Sequence, residues 1–220
     1  RIYGLTKGQY SPTSQPGLVT KSSPMGSVDA PFNPVSLALG AEGTFVARTM
    51  DSDRKHLTEV LKAAAAHRGT SIVEIYQNCP IFNDGAFDGY KGPEAAERIV
   101  RLVDGEPILL GADRSKGVVR DPVNGSLTVT EVAQVGMDHV VVHDATRPDP
   151  SLAFELAHLH DSGQISQIPL GILRSVSLPT YDDMVRDQLR LAGGSADDKP
   201  ARDAALQQLL RGNDTWQVHN

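Results

Sequence analysis

A single cysteine, Cys79, among 220 residues rules out an internal disulfide and favours a reducing compartment over secretion. Positive charge is also scarce. Twenty-one lysines and arginines against 27 acidic residues leave a net charge of -6, which does nothing to attract a nucleic-acid backbone. No apolar run approaches the ~20 residues of a membrane-spanning helix, and no basic-then-apolar segment opens the chain. These absences predict a cytoplasmic protein without nucleic-acid or membrane partners. There is no internal repeat. There is no initial methionine either: Arg1 leads straight into the apolar-aromatic Ile2-Tyr3-Gly4-Leu5. Free N-termini are more often polar and loose, so further chain is expected ahead of Arg1.

What is present describes an α/β chain. Apolar residues at 40% and charged residues at 22% are ordinary, and 220 residues can bury one core with extensions. Asn33-Pro34 before Val35-Ser36-Leu37-Ala38-Leu39-Gly40 predicts a helix with an asparagine cap, a proline at its first position and a closing glycine. Thr44-Phe45-Val46-Ala47-Arg48 is a β-prone run. Asp51 or Ser52 can cap the next helix, which carries Leu57, Val60, Leu61 and Ala64 at helical spacing and stops near Gly69. Ser71-Ile72-Val73-Glu74-Ile75-Tyr76 is a second strand. Strand, helix, strand with continuous apolar runs predicts a parallel β-α-β sheet.

Further along, Pro93 opens a helix expected to run through Ile99, Val100 and Val103, and Ile108-Leu109-Leu110 reads as a strand. Residues 118–132 read as a hairpin with a tight turn at Asn124-Gly125. His139-Val140-Val141-Val142-His143 is another strand, followed by a helix capped at Asp149-Pro150. Two polar helices joined at Gly193-Gly194-Ser195 end the chain.

Three segments carry less regular patterns. Residues 9–32 hold Pro12, Pro16, Pro24 and Pro31 among Ser, Thr and Gly, the composition of a solvated linker. Apolar residues among these turn formers fit an ordered loop closing over something equally well. Residues 78–92, rich in Asn, Asp, Gly and Pro, are too long for a simple connection and form a candidate functional loop. In Ile2-Tyr3-Gly4-Leu5-Thr6-Lys7-Gly8-Gln9, a strand runs into glycine, threonine and lysine. That offers close backbone approach, a hydroxyl and a cation at the carboxyl edge of a sheet, where α/β proteins bind ligands. The spacing is not that of a phosphate-binding loop, and a plain turn accounts for it as well. Cys79 by itself fits a small buried hydrophobe or a ligand equally.

The segment at residues 2–9, followed by Ser11-Pro12-Thr13-Ser14, resembles the beta subunit of 2-oxoacid:ferredoxin oxidoreductases. The resemblance continues through Ser22-Ser23-Pro24-Met25-Gly26, Pro31-Phe32-Asn33-Pro34, Leu37-Ala38-Leu39-Gly40, Phe45-Val46-Ala47-Arg48 and Tyr76-Gln77-Asn78-Cys79-Pro80. These blocks fall in the family's order, over residues 1–90. The remainder is similar to the 2-oxoglutarate members, with an extended C-terminus, through less specific motifs. The resemblance implies a thiamine-diphosphate-binding α/β fold with a mostly parallel sheet flanked by helices. Residues 1–110 would be the later part of that domain, cluster loop included, and 111–220 a C-terminal extension with the hairpin and helices.

The same resemblance implies the chemistry. Thiamine diphosphate would be held through Mg2+, whose Gly-Asp-Gly and asparagine ligands are expected ahead of Arg1. The main-chain carbonyl of Ile2 would be the remaining protein ligand, an oxygen that a hard cation accepts readily. Tyr3, Gly4, Leu5 and Thr6 would line the cofactor. Leu5, Thr6 and Lys7 would be the catalytic set. Lysine suits a substrate carboxylate, and leucine keeps the pocket poorly solvated, which favours loss of neutral CO2. An exposed turn lysine is the plainer alternative. Cys79 would give one thiolate to a 4Fe–4S cluster, with three more cysteines upstream. A following proline suits such a ligand, since it fixes the turn and removes an amide.

The implied reaction is oxidative decarboxylation of a 2-oxoacid, 2-oxoglutarate foremost, to an acyl-CoA, with electrons passing through the cluster to ferredoxin. An alpha subunit would complete a dimer of heterodimers. Pyruvate or a broad range of 2-oxoacids is one alternative. A thiamine-dependent lyase or synthase without redox centres is another, against which Cys79-Pro80 speaks, and a non-catalytic scaffold is the third. Other candidates read as structural. His139 and His143 are too far apart to chelate, and His158 and His160 point different ways along a helix. Arg54-Lys55-His56 opens a helix, and a substrate or coenzyme A role there is unsupported. Asp182, Asp183 and Asp187 form a solvated face, and Ala63 to Ala66 pack a helix.

Overall fold

The computed structural model describes residues 2–159, 167–193, 198–213, 216 and 218, so Arg1, His160 and the Gly194-Ser195 joint lie outside the described residues. Two short strands come first, β1 (Ile2–Tyr3) and β2 (Gln9–Tyr10), paired antiparallel with Ile2 opposite Tyr10. The proline-rich segment after them is an ordered loop and not a linker. Ser11, Ser14 and Ser27 are buried in it. Gly17 N–H donates to the Ser27 carbonyl at 2.7 Å, and Phe32 N–H to the Pro12 carbonyl at 2.7 Å. Serine hydroxyls satisfy backbone groups that turns leave unpaired, as Ser27 Oγ does at the Gln15 carbonyl, 2.8 Å away.

Helix α1 (Pro34–Gly40) starts as expected, with the Asn33 side chain accepting from the Ser36 N–H at 3.1 Å. Strand β3 (Phe45–Met50), helix α2 (Arg54–Ala66) and strand β4 (Ser71–Tyr76) form the parallel β-α-β unit, with Phe45 opposite Ser71 and Met50 opposite Tyr76. The cap of α2 is Asp53, which accepts from the His56 N–H at 3.1 Å, in place of Asp51 or Ser52. Successive residues of β3 face opposite sides of the sheet. Val46 packs with Val35 and Leu39 of α1, while Phe45 and Ala47 pack with Val60 of α2. Covered on both faces, β3 is buried at all six positions.

The next stretch departs from expectation. Helix α3 spans only Ala95–Arg98, and Ile99–Arg101 is strand β5. Adjacent β-branched residues favour a strand, and here they pair with Ile168 and Pro169 while Val100 is fully buried. Strands β6 (Leu109–Leu110), β7 (Lys116–Arg120) and β8 (Leu127–Glu131) make a three-stranded antiparallel sheet. Its β7–β8 hairpin is the expected one, but the connection spans residues 121–126 and is no two-residue turn. The Asp121 carboxylate accepts from the Val123 N–H at 2.7 Å, and the Asp121 carbonyl from the Gly125 N–H at 2.8 Å, which widens the loop. After α4 (Val132–Val135), residues 139–143 make isolated bridges, Val140 with Val119 and Val142 with Pro107, and no strand. Pro107 has no N–H with which to extend a ladder. Helix α5 (Ser151–Ala157) begins as expected, with Asp149 accepting from the Ser151 N–H at 3.2 Å.

Strand β9 (Ile168–Ser175) was not anticipated, yet it lies inside the four-stranded sheet, whose order is β4-β3-β9-β5. It runs antiparallel to β3 and parallel to β5, so two of the three neighbouring pairs are parallel. Pro169 lies outside the stretch paired with β3, where its missing N–H interrupts no ladder. Gly171 has φ +142°, and a side-chain carbon there would stand 2.6 Å from the Leu102 carbonyl oxygen.

The chain divides into two compact units, 1–177 and 178–220. Residues 111–177 therefore pack with the first 110, and the separate unit begins at Leu178. In that second unit, α6 (Tyr181–Gly193) and α7 (Lys199–Arg211) are the expected polar helices. Asp182 and Asp183 pair with Arg186 at 2.7 and 3.2 Å, and Asp187 with Arg190 at 3.1 Å, a solvated helix face. No helix of the described residues is long and apolar enough to cross a membrane.

Candidate functional site

The parallel pair β3–β4 delivers both carboxyl ends to one edge of the sheet, and the loop bearing Cys79 leaves from it. Asp51 fastens the two ends. Its N–H donates to the Tyr76 carbonyl at 3.0 Å, and its carboxylate accepts from the Asn78 N–H at 3.0 Å. Asn78 then closes the loop: its side-chain amide donates to Asp84 at 2.8 Å, and its oxygen accepts from the Gly85 N–H at 3.1 Å.

Inside this loop the neighbouring main-chain N–H groups of Phe82, Ile81 and Asn83 favour a charged Cys79 sulfur. They hold the thiol below its ordinary ionisation range, with Phe82 the largest cause, against the opposing effects of desolvation and Asp84. The Asn83 N–H also bonds the Cys79 carbonyl at 2.9 Å. Cys79 is half-buried, which excludes the reading as an inert core thiol. A sulfur biased toward thiolate by backbone donors, and open on one side, fits one ligand of an iron–sulfur cluster. Among the described residues, no group of three or more His, Cys, Asp or Glu converges to hold a metal.

The base of the loop is packed on aromatic rings. Tyr76 stacks on Phe87 with centroids 4.9 Å apart, and the Arg48 guanidinium lies 5.5 Å from the Tyr76 ring centre. Arg48 is 1% exposed, and its Nε donates to Glu74 at 2.7 Å. Pairing of this kind is what makes a buried guanidinium tolerable.

The candidate residues at the start of the chain occupy the tip of the β1–β2 hairpin. Lys7 N–H donates to the Gly4 carbonyl at 3.0 Å and Gly8 N–H to the Tyr3 carbonyl at 2.9 Å. Lys7 sits at φ +60° and Gly8 at φ +101°. A non-glycine residue in that region costs roughly 1 kcal/mol, so the fold holds Lys7 there against its preference. Tyr3, Gly4, Leu5, Thr6 and Lys7 are all exposed, Leu5 by 97%, so whatever packs on Leu5 comes from outside the described residues. Ile2 is half-buried. The hairpin forms its own two-stranded sheet, which corrects the expectation that it lies on the carboxyl edge of the main one. It nevertheless lies beside the Cys79 loop that leaves that edge. A side-chain carbon placed on Gly8 would stand 3.4 Å from Phe82 Cδ1, and one placed on Gly4 4.0 Å from Cδ2. Behind the tip, Tyr3, Tyr10, Asp29 and Phe32 line a cavity of about 420 Å3. A hydrogen bond to Asp29 pushes the pKa of the Tyr10 phenol up, so that it ionises less readily.

The remaining candidates are structural. His143 is buried, bonds the Ile172 carbonyl at 2.7 Å and is kept neutral chiefly by burial. His139 is exposed. His158 bonds the Phe154 carbonyl at 2.9 Å. His56 bonds the Thr49 hydroxyl at 2.8 Å, with burial and then Arg101 lowering its ionisation, while Arg54 and Lys55 are exposed. Ala63 and Ala64 pack against the core, whereas Ala65 and Ala66 face solvent. Two residues escaped the sequence reading. Asp51 reads in the sequence only as a possible helix cap, and Phe82 carries no local signal beyond being aromatic in a polar loop.

The family described as the C-terminal TPP binding domain of thiamine pyrophosphate enzymes matches residues 1–75. The chain is 56% identical to the 2-oxoglutarate oxidoreductase subunit KorB of Mycobacterium tuberculosis, over 99% of this chain and 57% of that protein. It is 46% identical to a 2-oxoacid:ferredoxin oxidoreductase subunit beta of Saccharolobus solfataricus, over 38% of this chain and 27% of that one. Among solved structures it is similar to the 2-oxoglutarate:ferredoxin oxidoreductase of Magnetococcus marinus with 2-oxoglutarate, coenzyme A and succinyl-CoA bound. The TM-score there is 0.61 at 27% identity, covering 93% of this chain and 54% of that one. The chain thus spans little more than half the length of these longest matches.

Proposed function

Because this chain is related to the beta subunits of 2-oxoacid:ferredoxin oxidoreductases, we propose that it works in the oxidative decarboxylation of 2-oxoglutarate to an acyl-CoA, with ferredoxin taking the electrons. The observation that supports this most directly is the half-buried Cys79, its thiol held below the ordinary range by neighbouring backbone amides, in a loop beside the exposed turn at Gly4 to Lys7. A scaffold protein has no use for either feature. The names of the relatives favour 2-oxoglutarate. The shorter match to a subunit named for 2-oxoacids in general favours pyruvate or a broad range as the second reading.

Thiamine diphosphate, when bound, supplies the electron sink for loss of CO2. The Ile2 carbonyl would be one oxygen ligand to its Mg2+. Tyr3, Gly4, Leu5 and Thr6 would line the cofactor, with the Thr6 hydroxyl free to donate to an anionic oxygen. Leu5 would keep water from the reacting carboxylate, and Lys7 would attract a carboxylate of the 2-oxoacid. Cys79 would give one thiolate to a 4Fe–4S cluster. It is the sole cysteine of these 220 residues, so the other three ligands would come from outside them. An alpha subunit would cover the Leu5 tip in a dimer of heterodimers, and coenzyme A would take the acyl group. In this reading residues 1–110 carry the cofactor chemistry and 111–220 hold the C-terminal part, β9 joining the first sheet. A cytoplasmic location accords with the lone thiol.

Visible absorption of the anaerobic, full-length complex tests the proposal. Broad iron–sulfur absorbance that bleaches on adding 2-oxoglutarate with coenzyme A is expected. A colourless complex that turns over would point to a lyase or synthase, and one that neither absorbs nor turns over to a scaffold.

A further inference from the structure

The turn at Gly4 to Gly8 and the loop at Asn78 to Gly85 lie far apart in the chain, yet one residue touches both. Phe82 belongs to the Cys79 loop, three residues on from the cysteine. Its half-buried ring lies beside the hairpin, with Cδ2 toward Gly4 and Cδ1 toward Gly8. At Gly8 a side chain is disfavoured by φ +101°, and its first carbon would meet the ring at ordinary van der Waals distance, 3.4 Å. The hydrogen bonds that close the turn, Lys7 to Gly4 and Gly8 to Tyr3, run within the hairpin and fix its shape without fixing its place.

We infer that Phe82 is a positioning residue: its ring, set against Gly4 and Gly8, holds the turn carrying Leu5, Thr6 and Lys7 at a fixed distance from the loop carrying Cys79. The packing inference stands on geometry alone, and its consequence for substrate rests on the function proposed above. A planar ring suits this task. It presents two edges to two glycines, with two side-chain torsions to restrain.

The test uses the assembled, full-length enzyme carrying Phe82→Leu, with Phe82→Tyr as the conservative control. Hydrogen exchange read by mass spectrometry on the peptide covering residues 2–10 should quicken by about tenfold in Phe82→Leu and return to normal in Phe82→Tyr. Iron content should stay unchanged, because the Phe82 amide survives either substitution. KM for the 2-oxoacid should rise more than kcat falls, with tyrosine restoring both. Unchanged exchange in Phe82→Leu overturns the inference whatever the kinetics show. Faster exchange with an unchanged KM upholds the packing and removes Lys7 and its neighbours from the substrate site instead. Should Phe82→Leu fail to assemble, Phe82→Met, which keeps length without ring edges, provides the same comparison.

Discussion

A carboxylate oxygen of Asp51 accepts the main-chain N–H of Asn78 at 3.0 Å, tying the end of β3 to the residue before Cys79. The bond converts a strand pairing into a fixed position for a sulfur. Asp51→Ala leaves that amide without its acceptor, at a cost of about 1–2 kcal/mol. Asp51→Asn keeps an oxygen in place and should cost less. In the assembled enzyme the alanine variant should release iron to a chelator faster than the asparagine variant. Equal release rates for the two would remove Asp51 from the support of the loop.

The ionisation of Cys79 offers a second check. Its folded pKa is depressed by the amides of Phe82, Ile81 and Asn83. The stabilisation they give is therefore fully present above the ordinary thiol pKa and is lost as pH falls through the depressed value. In iron-free, full-length enzyme, alkylation of the Cys79 peptide should have its midpoint below that of a free cysteine. A midpoint at or above that of free cysteine contradicts this effect of the amides.

Lys7 allows a charge to be removed without disturbing the turn. Asparagine tolerates the left-handed region better than alanine, so Lys7→Asn suits φ +60°. Its KM for 2-oxoglutarate should rise by about tenfold, with a smaller rise for pyruvate, which lacks the second carboxylate. Equal losses on both substrates would show that Lys7 does not read the distal carboxylate.

Local chemistry made part of this molecule legible in advance. Asn33-Pro34 announced α1, and the apolar runs of β3 and β4 around the Leu57–Val60 periodicity announced a parallel pair. Strand β9 was hidden because Pro169 and Gly171 break its pattern, while both find long-range justification, one beside β5 and the other against Leu102. Strand β5 was hidden because Ile99 and Val100 continue without a break from a short helix, and only pairing with Ile168 and Pro169 decides between the two. At the site, Cys79 and the Gly4–Lys7 turn stand out as residue types. Phe82 does not, because its value lies in touching glycines distant in sequence.

Cys79→Ser in the full-length, anaerobically purified complex is the most direct measurement. Iron and labile sulfide should be lost while thiamine diphosphate remains bound, since the sulfur and the hairpin turn belong to separate ligand sets. Full retention of the cluster in that variant would contradict the assignment of Cys79 as its ligand.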